Sequence, residues 1–550
     1  MKKFVALFLA ALMVLSMCAC TPAEPTGSDP AGSNPTGSNP AGSDPAGSTP
    51  APEVEINYPL EGAPSLSLWY SGGLLFEPTV AGELPFTQGL KANTGVTIEY
   101  SKPIAGSNAN EAYNLLLTES KDKLPNIIYH NITAAQGEEL LMDDYIYDLT
   151  EYLPKYAPDY WEFITSNEGL LNNLVTASGR VYAIHSLQEG EYNATFVGPV
   201  VRKDWLDACG LDVPVTMQDW ENVLVAFKDK YGVAMGFSVA RFLNQAGLAS
   251  GTGAYATMNP TLYVDNNGKV QLAQAQPEWK EYMQWLNKWY EMGLIDKDSL
   301  TMDDKAVRTK VANNEIGISV TAMSQLTLFV NDADAAGSNA EWIGIEYPRI
   351  AAGVPTSMIQ QNVLYKNARC AVITKSCSEE QLIAALQFLN YGYTEEGILY
   401  WNFGNENVSY TMGTDGDPQW TALVTDDADG LNKAIDKYSG ARNAGLTIQM
   451  GAFVKSINSK QAGDAVYEWI ENSEASKHIL PSLALTADES ADYSDIMNAI
   501  NARVKEMCMK FITGDASLDE FDAYVAELKS MGLDEALKIQ QAAYERWKKN

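Results

Sequence analysis

Histidine and cysteine are scarce in this chain: three and six, respectively, among 550 residues. No Cys-x-x-Cys pair occurs, so neither a zinc site nor a disulfide framework is expected. Beyond the first 20 residues the cysteines are Cys209, Cys370, Cys377 and Cys508. The stretch between Cys370 and Cys377, if mostly extended, would set their Cα atoms roughly 20 Å apart, beyond disulfide reach. Scattered buried thiols are the expectation. There is no Gly-Lys-Ser/Thr phosphate loop and no Gly-x-Ser-x-Gly nucleophile elbow. Basic residues are also few, 38 against 70 acidic ones, for a formal net charge of −32. That balance excludes nucleic acid and an anionic bilayer surface as partners. No run reaches the roughly 20 apolar residues that a membrane-spanning helix needs.

What is present begins at the N-terminus. Lys2 and Lys3 precede an apolar stretch from Phe4 to Leu15, too short to span a bilayer and of the length of a secretory signal. It runs into Leu15-Ser16-Met17-Cys18-Ala19-Cys20, which resembles a bacterial lipobox, where the leader is cut before a lipid-carrying cysteine. The small Ala19 favours Cys20 over Cys18 as the lipidation site. From Thr21 to Pro52 the chain repeats Pro-Ala/Thr-Gly-Ser-Asp/Asn with nothing large enough to build a core. Burial cannot offset the conformational entropy of such a segment, so a disordered tether is expected. Its r.m.s. span would be roughly 30 Å, more where proline stiffens it.

The rest of the chain is globular in composition, with 46% hydrophobic and 10% aromatic residues overall, and long enough for more than one core. Strand-like and helix-like patterns alternate, which indicates an α/β protein. Ser65–Trp69 and Asn126–Tyr129 read as strands, Glu315–Val320 as another, and Val264–Val270 as a hairpin turning at Asn267-Gly268. Trp279–Met292 has helical spacing and stops at Gly293. From Ser494 onward the chain reads as helical, broken at Gly514 and Gly532.

A set of short stretches, in consistent order, resembles the extracellular solute-binding proteins of carbohydrate ABC importers, in their long-chain lipoprotein and oligosaccharide-binding branch. They are Gly179-Arg-Val-Tyr-Ala-Ile184, Val201-Arg-Lys-Asp-Trp-Leu206 with Gly210-Leu211 and Pro214-Val-Thr216, Trp289-Tyr-Glu-Met-Gly-Leu-Ile-Asp296, and Asn314-Glu-Ile-Gly-Ile318. Phe511-Ile-Thr-Gly-Asp515, Met531-Gly-Leu-Asp534 and Tyr544-Glu-Arg-Trp547 follow. The resemblance covers about residues 55 to 550. It implies a periplasmic-binding-protein-like α/β fold of the type II class: two α/β lobes joined by crossover hinge strands and closing on a sugar. The expected division is 1–20 leader, 21–53 linker, 54–193 with 347–405 as one lobe, and 197–345 with 408–550 as the other. The implied partners are an oligosaccharide and the permease subunits of an importer whose ATPase is a separate chain. The protein would be a monomer on the outer face of the cell membrane, held there by its lipid alone. No cofactor is implied.

Ligand in such a fold belongs outside the carboxyl ends of the strands, between the lobes. Sugar recognition needs flat apolar faces for ring C–H groups and amides, carboxylates or Arg for hydroxyls. On those grounds Trp69 and Tyr70 at the end of the first strand are candidates, although alternation points them opposite ways. His130 and Asn131 follow Asn126–Tyr129, where sugar-binding family members place an aromatic contact. Glu189, Glu191 and Tyr192 approach the hinge, and which of them points inward is open. Thr321 follows the Glu315–Val320 strand. Trp401 and Asn402 lie in Gly397–Gly404, with a helix-end core position as the other reading of Trp401. Trp205 and Trp220 read as structural. Thr425–Gly430 with Asp436 faintly resembles a calcium loop, but Thr stands for the first acid and Asp for the last Glu, so an acidic surface loop is favoured. A secreted lipoprotein glycoside hydrolase with paired carboxylates and a noncatalytic carbohydrate adhesin or sensor partner are the alternative functions.

Overall fold

Strands that read as almost unbroken apolar runs are those buried on both faces, and the computed structural model shows where that happens. It describes residues 56–549 apart from 72–76, 105, 168, 244–246, 257–259, 359–364 and 443–444. The leader, Cys20 and the repeat linker lie outside the described residues. Residues 53–550 form a unit of their own.

In chain order the strands are β1 (Leu66–Tyr70), β2 (Ile98–Ser101), β3 (Ile127–Asn131), β4 (Ile184–Gln188), β5 (Val197–Arg202), β6 (Leu262–Val264), β7 (Val270–Leu272), β8 (Ile318–Ala322), β9 (Trp342–Gly344), β10 (Tyr365–Ile373), β11 (Tyr410–Met412), β12 (Pro418–Trp420) and β13 (Ile448–Gln449). The first sheet has the order β13-β4-β10-β3-β1-β2. All its pairings are parallel except those of β10, which runs against β3 and β4. The second sheet, β8-β5-β9, is antiparallel throughout. β6–β7 and β11–β12 are separate hairpins.

Period-two alternation divides the first sheet's side chains between two apolar layers. Leu66, Leu68, Tyr70, Ile127, Tyr129, Ala371 and Ile373 enter one core, with Phe86, Tyr391 and Trp401. Trp69, Ile128, Cys370 and Val372 enter a smaller one on the other face, with Tyr113, Leu140 and Tyr182. A third core surrounds the second sheet and includes Trp220, Trp279, Trp289 and Trp469. Trp205 and Trp220 are both buried there, as the sequence suggests.

Local chemistry sets the helix ends. The helix Met217–Tyr231 opens on a capping box of Thr216 and Asp219 and closes on Gly232 in the left-handed conformation. The helix predicted at Trp279–Met292 spans Pro277–Glu291, followed by Gly293 at φ +64°. The C-terminal helices are Ala487–Thr513, Phe521–Ser530 and Leu533–Trp547, separated at Gly514 and Gly532 as expected. The first starts at a Thr486–Glu489 capping box rather than near Ser494. In the predicted hairpin, the Asp265 carboxylate accepts the N–H groups of Asn267 and Lys269, which fixes the turn.

The lobe boundaries differ from the expectation at three places. Tyr347 and Met358 pack in the core of the second sheet, and the Tyr347 hydroxyl donates to the Val197 carbonyl at 2.8 Å. Phe403 packs there too. Conversely β13 pairs with β4, and Leu446 and Ile448 enter the first lobe's core. The chain therefore returns to the first lobe near residues 446–449. A two-residue strand is too short for any periodicity to announce it.

Candidate functional site

β1, β2, β3, β4 and β13 run parallel, so their carboxyl ends share one edge of the first sheet. On that edge, or just beyond it, lie Ser71, Asn131, Gln188, Glu189 and Gln449. From Gln188 the chain crosses directly to Val197, which pairs with Ala322 at the carboxyl end of β8. The first crossing thus joins the carboxyl edge of one sheet to an edge of the other.

Three aromatic rings gather at the first sheet's edge. Tyr113 stacks on His130, with ring centroids 4.3 Å apart and an interplanar angle of 27°. Trp69 lies 6.1 Å from His130 and 6.4 Å from Tyr113. The Ser71 hydroxyl pairs with His130 Nδ1. Burial, and then the charge of Arg369, holds the His130 pKa down at about 4, so the imidazole is neutral at physiological pH. Asn131 is exposed, and its side-chain oxygen accepts from Arg369 Nε at 3.4 Å. Trp69 and His130 are therefore neighbours across the paired strands β1 and β3, with Asn131 at the end of β3. Tyr113 and Arg369 join them without having been singled out: the first sits mid-helix and the second reaches the edge only because β10 runs antiparallel.

The crossing itself is held by its backbone. Glu189 N–H donates to the Gln449 carbonyl at 3.0 Å, and its own carbonyl accepts from Asn193 Nδ2 at 2.6 Å. Its half-buried carboxyl has a pKa raised by desolvation. Tyr192 lies where Cβ atoms added at Gly463 and Gly451 would stand 3.4 and 3.8 Å from its ring, and it meets Tyr467 edge-on at 5.0 Å. The side chain of Glu191 lies outside the described residues. Beside Tyr192 opens a cavity of about 400 Å³, lined among others by Trp420, Asp417, Lys455, Ser456 and Asp464. Trp420 Nε1 donates to Ser456 Oγ at 2.9 Å, and Lys455 pairs with Asp417 at 3.1 Å. Its size falls in the usual range for small-ligand sites, about 300–1,000 Å³.

Four more candidate residues are buried, as Trp69 and His130 themselves are at 6% and 5% exposure, but they lie away from that edge cluster. Tyr70 is 1% exposed and faces Tyr100 in the larger core, because alternation turns it away from Trp69. Thr321 is buried within β8 opposite Gly198. Trp401 meets Phe86 at 5.0 Å, with Gly440 and Gly445 lying against its ring. Asn402 is spent on the backbone: its Nδ2 donates to the carbonyls of Ile398 and Ile448, and its Oδ1 accepts from Met450 N–H. The returning segment that carries β13 is what covers this pair. The Thr425–Gly430 loop is ion-paired, with Lys437 Nζ 2.8 Å from Asp427 and 3.2 Å from Asp429. Cys209, Cys370, Cys377 and Cys508 are all free thiols. Among the described residues, no helix is long and apolar enough to cross a membrane.

No family model matches the chain. The solved human-milk-oligosaccharide-binding solute-binding protein from Bifidobacterium longum infantis superposes with a TM-score of 0.70 at 20% identity, over 88% of this chain and 99% of that one. The fold is that of the solute-binding proteins. In sequence, the chain is 25% identical to Lipoprotein LipO of Bacillus subtilis (strain 168) over 363 residues, 62% of this chain and 66% of that protein. It is 24% identical to the fructooligosaccharide ABC transporter substrate-binding protein FusA of Streptococcus pneumoniae over 282 residues, 48% of this chain and 51% of FusA. The matched stretches thus span between half and two thirds of these relatives' lengths. The solute-binding fold accounts for the two sheets, their crossing segments and the meeting of their edges at residues 188–197.

Proposed function

We propose that this chain is the substrate-capturing lipoprotein of an ABC importer, binding an oligosaccharide between its lobes and delivering it to the permease. The observation that carries the reading is the edge-to-edge arrangement of the two sheets. Beside it, the pairing of β1 with β3 sets Trp69, His130 and Asn131 at the carboxyl edge of the first sheet, and the segment between β4 and β5 carries Glu189 and Tyr192. Rings of this kind offer flat apolar faces, and the amide, carboxylate and guanidinium groups beside them suit hydroxyls. The relatives support it: their names describe a fructooligosaccharide-binding importer component and a lipoprotein, and another is a polygalacturonan- and rhamnogalacturonan-binding protein. None is named as an enzyme. Lipid on Cys20 would hold the body at the outer face of the membrane, with a separate ATPase supplying energy.

The test is a thermal-shift screen of neutral and acidic oligosaccharides, since a ligand that binds only the folded state raises its melting temperature by mass action. A saturable shift with at least one oligosaccharide, confirmed by calorimetry and without hydrolysis of the sugar, supports the proposal. Product formation in the same mixture would assign an enzyme instead.

A further inference from the structure

The crossing segments are not the only places where the lobes touch. The last helix, Leu533–Trp547, belongs to the second lobe, where Leu533 and Ala536 enter the large core. Its final turn rests on the first lobe. Trp547 Nε1 donates to Asn173 Oδ1 at 3.0 Å, and Asn172 Nδ2 donates to the Trp547 carbonyl at 3.3 Å. The indole lies over Gly169, where an added Cβ would stand 3.3 Å from Cζ2. Gly169 has φ +71°, so a side chain there would also strain the backbone.

Both halves of this contact are anchored. Leu170 and Leu174, flanking the two asparagines, are 1% and 0% exposed in the first lobe's core. On the other side, Arg546 binds both carboxylate oxygens of Glu489, and Tyr544 stacks on Trp547 at 6.1 Å. The helix Ala487–Thr513, which carries Glu489, also lies against Ala134–Met142 of the first lobe. A contact between two rigid surfaces that is absent from the hinge constrains the angle at the hinge: lobes cannot rotate about the crossing segments without sliding or breaking it.

We infer that the Trp547 dock is a latch that sets the angle between the lobes and limits their reorientation. It acts on the scaffold, not on ligand, so it is testable without one. Spin labels at Leu115 in the first lobe and Leu423 in the second, 69% and 48% exposed, report the interlobe distance by pulsed dipolar spectroscopy. In the full-length labelled protein, Trp547→Ala should broaden the distance distribution and displace its mean by more than the wild-type width. Trp547→Phe, which keeps a ring over Gly169 but loses the N–H, should give a smaller displacement. Asn172→Ala, a milder change at a half-buried site, should broaden the distribution less than Trp547→Ala and serves if that variant fails to fold. A folded Trp547→Ala, or in its place a folded Asn172→Ala, whose distribution superimposes on the wild type would overturn the inference and leave the dock as ordinary packing.

Discussion

On one face of the first sheet, Phe86, Tyr391, Tyr400 and Trp401 form a closed aromatic layer. On the other, Trp69, Tyr113 and His130 end beside Ser71, Asn131 and Arg369. Both sets hold large rings of low exposure, so burial alone does not tell the proposed binding face from a core. What distinguishes them is the company at the rim. Trp401 is roofed by backbone, and its carbonyl accepts from Ser439 Oγ and Gly440 N–H, both at 3.0 Å. His130 and Asn131 are bordered by side chains able to exchange hydrogen bonds with a ligand.

The sharpest break of that comparison is Trp401→Ala. Emptying a closed aromatic site should cost about 3–5 kcal/mol of folding stability, read by urea denaturation, and leave sugar affinity of the folded fraction unchanged. Unchanged stability would mean that the two faces have been confused. Gly440→Ala probes the same roof from outside. Its Cβ would stand 2.6 Å from both Phe86 Cζ and Trp401 Cε3, and such overpacking should cost about 1–3 kcal/mol.

The polar side of the comparison is sharpened by pH. His130 is held at about 4, and His185, buried in β4, at about 3, against an ordinary 6.5, chiefly by burial. Between those values the unfolded chain binds protons that the folded one refuses. The stability is therefore complete above pH 6.5 and declines as pH falls toward 4. The slope should approach 1.4 kcal/mol per pH unit for each histidine. Melting curves from pH 4 to 7 measure it, and His130→Asn should remove about half the slope; an unaltered slope would show that His130 is not desolvated. The smallest effect on folding is expected from Tyr192→Ala. Half-buried at the crossing, it should weaken calorimetric sugar affinity by about 1–2 kcal/mol through lost apolar contact, with little movement of the unliganded melting temperature. The reverse pattern would make Tyr192 a hinge-packing residue only.

Much of this was legible in the residues. The Asn126–Tyr129 strand, the Gly293 stop and the helix breaks at Gly514 and Gly532 all follow from local chemistry. The alternation that sends Trp69 and Tyr70 to opposite faces did too, though not that both faces are covered. The illegible parts are those made by distant segments. Trp401 and Asn402 follow an apolar run just as Trp69 does, and only the arrival of Gly440, Gly445, Ile448 and Met450 covers them. Tyr113 carries no signal beyond its helix, and it becomes part of a cluster because that helix packs on His130. Arg369 depends likewise on the direction of β10.

The composition of the first sheet has a consequence for how the protein is made. Its neighbouring strands come from residues 66 to 449, and the pairing of Leu187 with Ile448 closes its outer edge. A ribosome that has released the chain only as far as Gln188 has emitted β1 to β4 without the β10 that must lie between β3 and β4. This lobe cannot reach its final pairing during early synthesis, because such long-range contacts carry their loop-closure cost before any return. β4 and the edge of β3 that faces β10 therefore stay unpaired until some 370 residues exist, although β3 can already pair with β1, a state prone to aggregation if it lingers.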